Sequence, residues 1–205
     1  MYEKVIGITV ACVAAMPLIA VAADLEPASP PVPAPPPLVA PATSWWTGTE
    51  LRAGVFAHGV GSVERNTVDA NVELVLPSLF SDKQSWWALL VPRPYVGGMI
   101  NTSGLTSSVR GGALWHFPIW GGFFAEGFFG GAYTPNGLIN GDFRHSALGN
   151  RTLFNAGGSV GYQFSEHWSL LATFDHLSNG KTIFGTGFNK NQGLNDYGLQ
   201  LSYIF

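Results

Sequence analysis

From Trp45 to Phe205 apolar residues tend to recur at every second position, and no run of 18 apolar residues interrupts the pattern. A period of two belongs to a β-strand with one apolar and one polar face; a helix needs a period near 3.6. Tyr197, Leu199, Leu201, Tyr203 and Phe205 alternate with Asp196, Gly198, Gln200, Ser202 and Ile204. Phe154, Ala156, Gly158, Val160, Tyr162 and Phe164 alternate with Asn155, Gly157, Ser159, Gly161 and Gln163. The pattern predicts eight strands, near 46–59, 64–77, 84–100, 105–117, 120–134, 151–164, 167–178 and 195–205. Their lengths suit tilted strands crossing a bilayer, for which about 9–11 residues suffice. A soluble β-sandwich would need more charge on its polar faces. Only 11% of this chain is charged, against about 25% in ordinary soluble domains. Aromatics gather at strand ends (Trp45, Trp46, Trp86, Trp87, Trp115, Trp120, Trp168, Tyr203, Phe205), where the interfacial girdles of a membrane barrel belong. The expected fold is therefore all-β: an eight-stranded antiparallel transmembrane β-barrel over residues 45–205.

The segment before the barrel reads differently. Met1–Lys4 carries one positive charge, Val5–Ala22 is almost wholly apolar, and Ala20-Val21-Ala22 is a small-x-small cleavage pattern. We expect residues 1–22 to be a signal peptide cut before Ala23. Pro17 and the lack of a basic stop disfavour a retained membrane helix, and Thr9-Val10-Ala11 is a poor approach to lipoprotein cleavage at Cys12. Residues 23–44 are expected to be a disordered Pro-rich linker, since eight prolines between Asp24 and Ala42 cannot build a strand ladder. The single Cys excludes a disulfide framework. A net charge of −3 argues against nucleic-acid binding, which needs an excess of Lys and Arg.

With both barrel termini in the periplasm, odd strands run outward. The stretches 134–150 and 180–194 are then long external loops, and Pro118–Trp120 and Ser165–His167 are short inner turns. An eight-stranded barrel is filled by its own side chains, so a diffusion pore is not expected. Arg110 and Glu126 fall on the inward set at equal distances from Pro118, which predicts an interior ion pair across that hairpin. Asp175 also faces inward. His58, His116, His145 and His167 show no metal-ligand spacing, and no metal is expected. The 134–150 loop, with Arg144, His145 and nearby Arg151, reads equally as a phosphate contact or as a solvated loop.

One strand departs from the pattern. Leu170, Ala172, Phe174, His176 and Ser178 share the lipid-facing side, and polar groups at its end are costly there unless used or interfacial. His176 and Ser178, two apart on one face, put an imidazole beside a hydroxyl, the pairing that activates a serine nucleophile. Asn179 and the backbone N–H of Gly180 are candidate oxyanion donors. A substrate at that height would be a lipid reached sideways through the wall. Spacing alone also fits a plain interfacial polar pair.

His176-Leu177-Ser178-Asn179-Gly180, then Asn191-Gln192-Gly193-Leu194-Asn195, then Gly198 and Tyr203-Ile204-Phe205 resemble the lipid A 3-O-deacylases of the PagL type. Arg151-Thr152-Leu153-Phe154, with Gly157-Gly158 and Gly161-Tyr162-Gln163-Phe164, resembles that family's preceding strand. The resemblance implies an outer-membrane serine esterase that hydrolyses the 3-O-linked acyl chain of lipid A without cofactor or metal. It implies Ser178 as nucleophile, His176 as general base, and Asn179 with Gly180 at the oxyanion. The family's third member is a glutamate orienting the histidine. Here its place falls to Asn195, or to Asp196 if a bulge turns that residue outward. The implied partner is lipopolysaccharide in the outer leaflet; a homodimer is compatible with such a barrel. Two alternatives stand beside this reading: a non-enzymatic structural or adhesive barrel, and an esterase for another membrane lipid.

Overall fold

The computed structural model describes residues 48–79, 90–181, 185 and 190–205. The expected signal peptide, the Pro-rich linker, Trp45, Trp46, Trp86 and Trp87 lie outside the described residues. Eight strands run β1 Glu50–His58, β2 Thr67–Val75, β3 Arg93–Asn101, β4 Ser108–Trp120, β5 Phe123–Tyr133, β6 Thr152–Gln163, β7 Trp168–Ser178 and β8 Leu194–Ile204. Each pairs antiparallel with the next, and β8 returns to β1, from Glu50↔Ile204 to Ala57↔Tyr197, closing a barrel. Closure leaves no unpaired strand edge. All eight predicted strands are present. The third begins at Arg93 rather than 84, and residues 84–89 are not described.

The period of two decides what faces where. On β1, Leu51, Ala53, Val55 and Ala57 are exposed on the outer wall, while Glu50, Arg52, Phe56 and His58 are buried inside. The lumen is filled by a stack of polar networks. Toward the end that holds Glu50 and Ile204, Arg52 donates to both oxygens of Glu126 at 2.8 Å and to Glu50 at 2.8 Å, and Arg93 donates to Glu50 at 2.8 Å. At mid-height, Gln200 donates to Asn71 and accepts from Thr173. Above them Arg110 pairs with Asp175, which also accepts from Asn155 at 3.0 Å. Buried charges persist only when paired in this way.

The expected Arg110–Glu126 pair does not form. β4 continues through Pro118 to Trp120, and the turn falls on Gly121 and Gly122 (φ 57° and 88°). Two consecutive positive φ values define the tight hairpin that glycines favour. The register is therefore centred three residues later than the sequence suggested. Arg110 lies opposite Ala132, and Glu126 opposite His116, to which it is bonded at 2.9 Å. At this turn end, Phe123 packs against Tyr162 in a tilted pair (4.7 Å), and Trp168 and Phe205 flank Tyr203 (4.8 and 5.0 Å), forming an aromatic belt. The opposite rim carries the connections 59–66, 102–107 and 134–151 and the described residues between β7 and β8.

Candidate active site

β7 alternates strictly up to its end. Leu170, Ala172 and Phe174 are exposed, whereas Ser169, Leu171, Thr173 and Asp175 are buried. His176 follows on the outer face and is half-buried, and Ser178 is buried, at 8% exposure. Leu177 and Leu194, opposite one another, point inward and pack with Ala132, Leu148 and Leu153, so apolar contacts back this end of the two strands.

The register pairs His176 with Asn195 and Asp175 with Asp196. No bulge interrupts it, so Asn195 shares the outer face with His176 while Asp196 turns inside. His176 Nδ1 and Asn195 Oδ1 are 2.7 Å apart. Asp196 is 1% exposed, accepts the Gly59 N–H at 2.7 Å and lies 3.5 Å from His58. An amide oxygen at this distance accepts the Nδ1 proton and leaves Nε2 with its lone pair, the tautomer a general base requires.

The Nε2 side of the ring faces Gly193. The β7–β8 register, carried one step past Leu177↔Leu194, sets Gly193 opposite Ser178. Gly193 has φ 58°, and a Cβ there would stand 3.2 Å from His176 Cε1 and 3.8 Å from Nε2. The missing side chain thus leaves room at the Cε1–Nε2 edge of the imidazole. No hydrogen bond joins His176 to Ser178 in this geometry. Such contacts commonly tighten only once substrate is bound.

Asn179 and Gly180 follow the nucleophile candidate. Asn179 is buried; its Nδ2 donates to the Leu148 and Lys190 carbonyls (2.8 and 2.5 Å), and its N–H donates to Asn191 Oδ1. That amide ties the 134–151 and 179–193 connections together. Gly180, buried at φ 73°, donates its N–H to no group among the described residues.

Sequence reasoning missed a second cluster. His58 Nδ1 lies 2.7 Å from Asp69, and Nε2 lies 3.1 Å from Glu64. With Asp196, His58 and Asp69 offer ligand atoms within 4.8 Å of one another, a geometry that a metal ion could occupy. Their mutual hydrogen bonds, and that from Asn101 to Asp69, already satisfy these atoms. Glu64 ties three connections together, accepting from Thr106 N–H and hydroxyl and from Ser146 N–H. Burial opposes its ionisation, but the bonds from His58, Ser146 and Thr106 outweigh burial and hold its pKa down at about 2. These residues meet across β1–β2 and the β1–β8 seam, so no local spacing announces them.

A shallow groove of about 530 Å³ runs down the outer wall below the His176–Asn195 pair. Ala125, Gly158 and Ala172 lie along it beside Val160, and Phe174 and Tyr197, with ring centres 5.0 Å apart, stand at its upper end. The small side chains at Ala125, Gly158 and Ala172 keep that part of the wall low enough for a chain to lie along it.

A closed eight-stranded antiparallel barrel with an apolar outer wall defines a class: the small outer-membrane β-barrels. A model of the family described as lipid A 3-O-deacylase (PagL) matches residues 41–204, and the chain belongs to that family. The crystal structure of the outer membrane enzyme PagL superposes with a TM-score of 0.55 at 19% identity, covering 75% of this chain and 97% of that one. The N-terminal β-barrel domain of Pseudomonas aeruginosa OprF superposes with a TM-score of 0.50 at 14% identity, covering 78% and 98%. These two likenesses concern the fold. No curated protein sequence matches the chain.

Proposed function

We propose that this protein is an outer-membrane serine esterase that removes the 3-O-linked acyl chain of lipid A. Family membership supports the substrate, and the His176–Asn195 contact on the lipid-facing wall carries the chemistry. Residues 1–22 act as the export signal, and the rim bearing Ser178 faces the outer leaflet. The acyl chain lies in the groove beneath Phe174 and Tyr197, which brings its ester carbonyl to the rim.

Ser178 Oγ attacks the ester carbonyl while His176 Nε2 takes the hydroxyl proton. The Gly180 N–H receives the tetrahedral oxyanion, together with Asn179 if its amide exchanges one carbonyl partner. Collapse breaks the bond to the sugar oxygen, which leaves with the proton held by His176. A water then attacks the acyl-serine with His176 again as base, releasing the fatty acid and restoring Ser178. Asn195 holds the tautomer throughout but, being neutral, does not offset the imidazolium charge.

Ser178→Ala is expected to leave the barrel folded and to abolish the loss of the 3-O-acyl mass from lipid A, read by mass spectrometry after co-expression. Deacylation unchanged in that variant would reject Ser178 as nucleophile. Asn195 at the glutamate's place favours one competing reading, a non-enzymatic barrel; it expects unaltered lipid A when the wild-type protein is overproduced. Hydrolysis of phospholipid but not lipid A in detergent would instead mark an esterase for another lipid.

A further inference from the structure

Beside Asn195, on the side of the rim away from the acyl groove, lies a cavity of about 590 Å³ that ester cleavage alone does not use. Its walls come from three distant segments: Arg65 from the β1–β2 connection, Phe143 and Ser146 from the β5–β6 connection, and Gly193 with Asn195 at the start of β8. The volume is in the range of small-ligand sites, roughly 300–1,000 Å³. Its lining is more polar than that of the groove, and the two hollows approach the His176–Asn195 pair from different directions.

Three features of the wall lack a structural purpose. Arg65 is exposed and has no ion-pair partner among the described residues. Its neighbour Glu64 cannot serve, because its carboxylate is buried and committed to His58, Thr106 and Ser146. Ser146 donates its N–H to Glu64, yet its buried hydroxyl has no hydrogen-bond partner among the described residues. Phe143 is 88% exposed, so a full aromatic ring stands in solvent at the cavity mouth. An unpaired guanidinium matches the geometry of a phosphate, which it can grip with two parallel hydrogen bonds. A lone hydroxyl suits a polyol, and an exposed ring offers an apolar surface to the face of a sugar. Gly193 and Asn195 belong both to this cavity and to the surroundings of His176, so a head group seated here is held next to the reacting ester.

We propose that this cavity is a head-group site for a phosphorylated sugar, with Arg65 as the phosphate ligand and Phe143 and Ser146 against the ring. The proposal rests on the esterase reading and deepens it. The acyl groove holds the chain, and the head-group cavity decides which ester of the glycolipid meets Ser178. Specificity then comes from the rim, since a shallow apolar groove open along the wall accepts almost any acyl chain.

The test separates binding from hydrolysis. Full-length protein carrying Ser178→Ala, in detergent micelles, is titrated calorimetrically with phosphorylated lipid A and with the same lipid after enzymatic removal of its phosphates. The phosphorylated form is expected to bind at least about tenfold more tightly, the worth of one hydrogen-bonded charge pair. Arg65→Gln in that background is expected to erase the preference, and Arg65→Lys to retain part of it. Heat-modified mobility on gels checks that each barrel is folded. Equal affinity for the two lipids, or a preference indifferent to Arg65→Gln, overturns the proposal. Competition by inorganic phosphate as effective as that by glucosamine phosphate also overturns it, leaving a bare anion site. A retained phosphate preference with no ester hydrolysis by the unmodified protein would reject the esterase reading alone. Hydrolysis without the preference would reject the head-group site alone.

Discussion

Replacing Asn195 by aspartate preserves shape and changes charge, which makes it the sharpest probe of the proposed mechanism. The amide oxygen now sits 2.7 Å from His176 Nδ1. A carboxylate oxygen can occupy the same position, with its charge roughly 4 Å from the centre of the imidazolium that forms during catalysis. At that separation the attraction is about 4 kcal/mol at an effective dielectric of 20 and about 1 kcal/mol in water. Both side chains are half-buried, so the gain lies between these limits. Every 1.36 kcal/mol is tenfold in rate, so Asn195→Asp is expected to speed deacylation by roughly ten- to a hundredfold. The assay follows loss of the 3-O-acyl mass from lipid A over time, with purified protein in micelles and substrate below saturation. Asn195→Ala, which removes the acceptor altogether, is expected to fall below the wild type. An aspartate variant that folds but works no faster than the wild type would refute the reasoning, because the imidazolium would then gain nothing from a charge on Nδ1.

Gly193→Ala would force a side chain to within 3.2 Å of the His176 ring at a residue with φ 58°; we expect a folded barrel that is roughly 1–2 kcal/mol less stable and a deacylation rate down by about tenfold or more, read by urea melting and the same mass assay. Arg52→Met would leave Glu126 and Glu50 without their shared cation, at a cost of about 3–5 kcal/mol, visible as a lower urea midpoint. Glu64, with its pKa near 2 in the folded barrel against about 4.3 in an unfolded chain, binds fewer protons folded than unfolded. Its contribution is therefore complete above about pH 4.5 and is lost as the pH falls toward 2. Glu64→Gln is expected to flatten the acid side of the stability profile measured by urea melting between these pH values.

How much of this was legible beforehand follows from the range of each interaction. The alternation of Tyr197 to Phe205 exposes a strand and its lipid face because side-chain direction in a strand depends only on the residue's own position. The anomaly of His176 and Ser178 on an apolar face could be read in the same way, and the resemblance of 176–180 and 191–195 to a known family lent it a chemistry. The position of a turn is less secure. Pro118 suggested a hairpin centre, but Gly121 and Gly122 supply the positive φ that the turn needs, and a shift of three residues was enough to give Arg110 and Glu126 different partners.

The choice between Asn195 and Asp196 shows where sequence ends and tertiary structure begins. Both stand at the right distance along the chain, and a single bulge would exchange them. The unbroken pairing of β7 with β8 sends Asn195 to the imidazole and Asp196 into the lumen. The His58–Asp69–Glu64 cluster and the cavity beside Arg65 and Ser146 are further still from local reading, since they are assembled from segments that meet only when the barrel closes. Side-chain direction is a property of each residue and could be taken from the sequence; which side chains become neighbours is set by register, turn position and closure, and only the folded cylinder decided those.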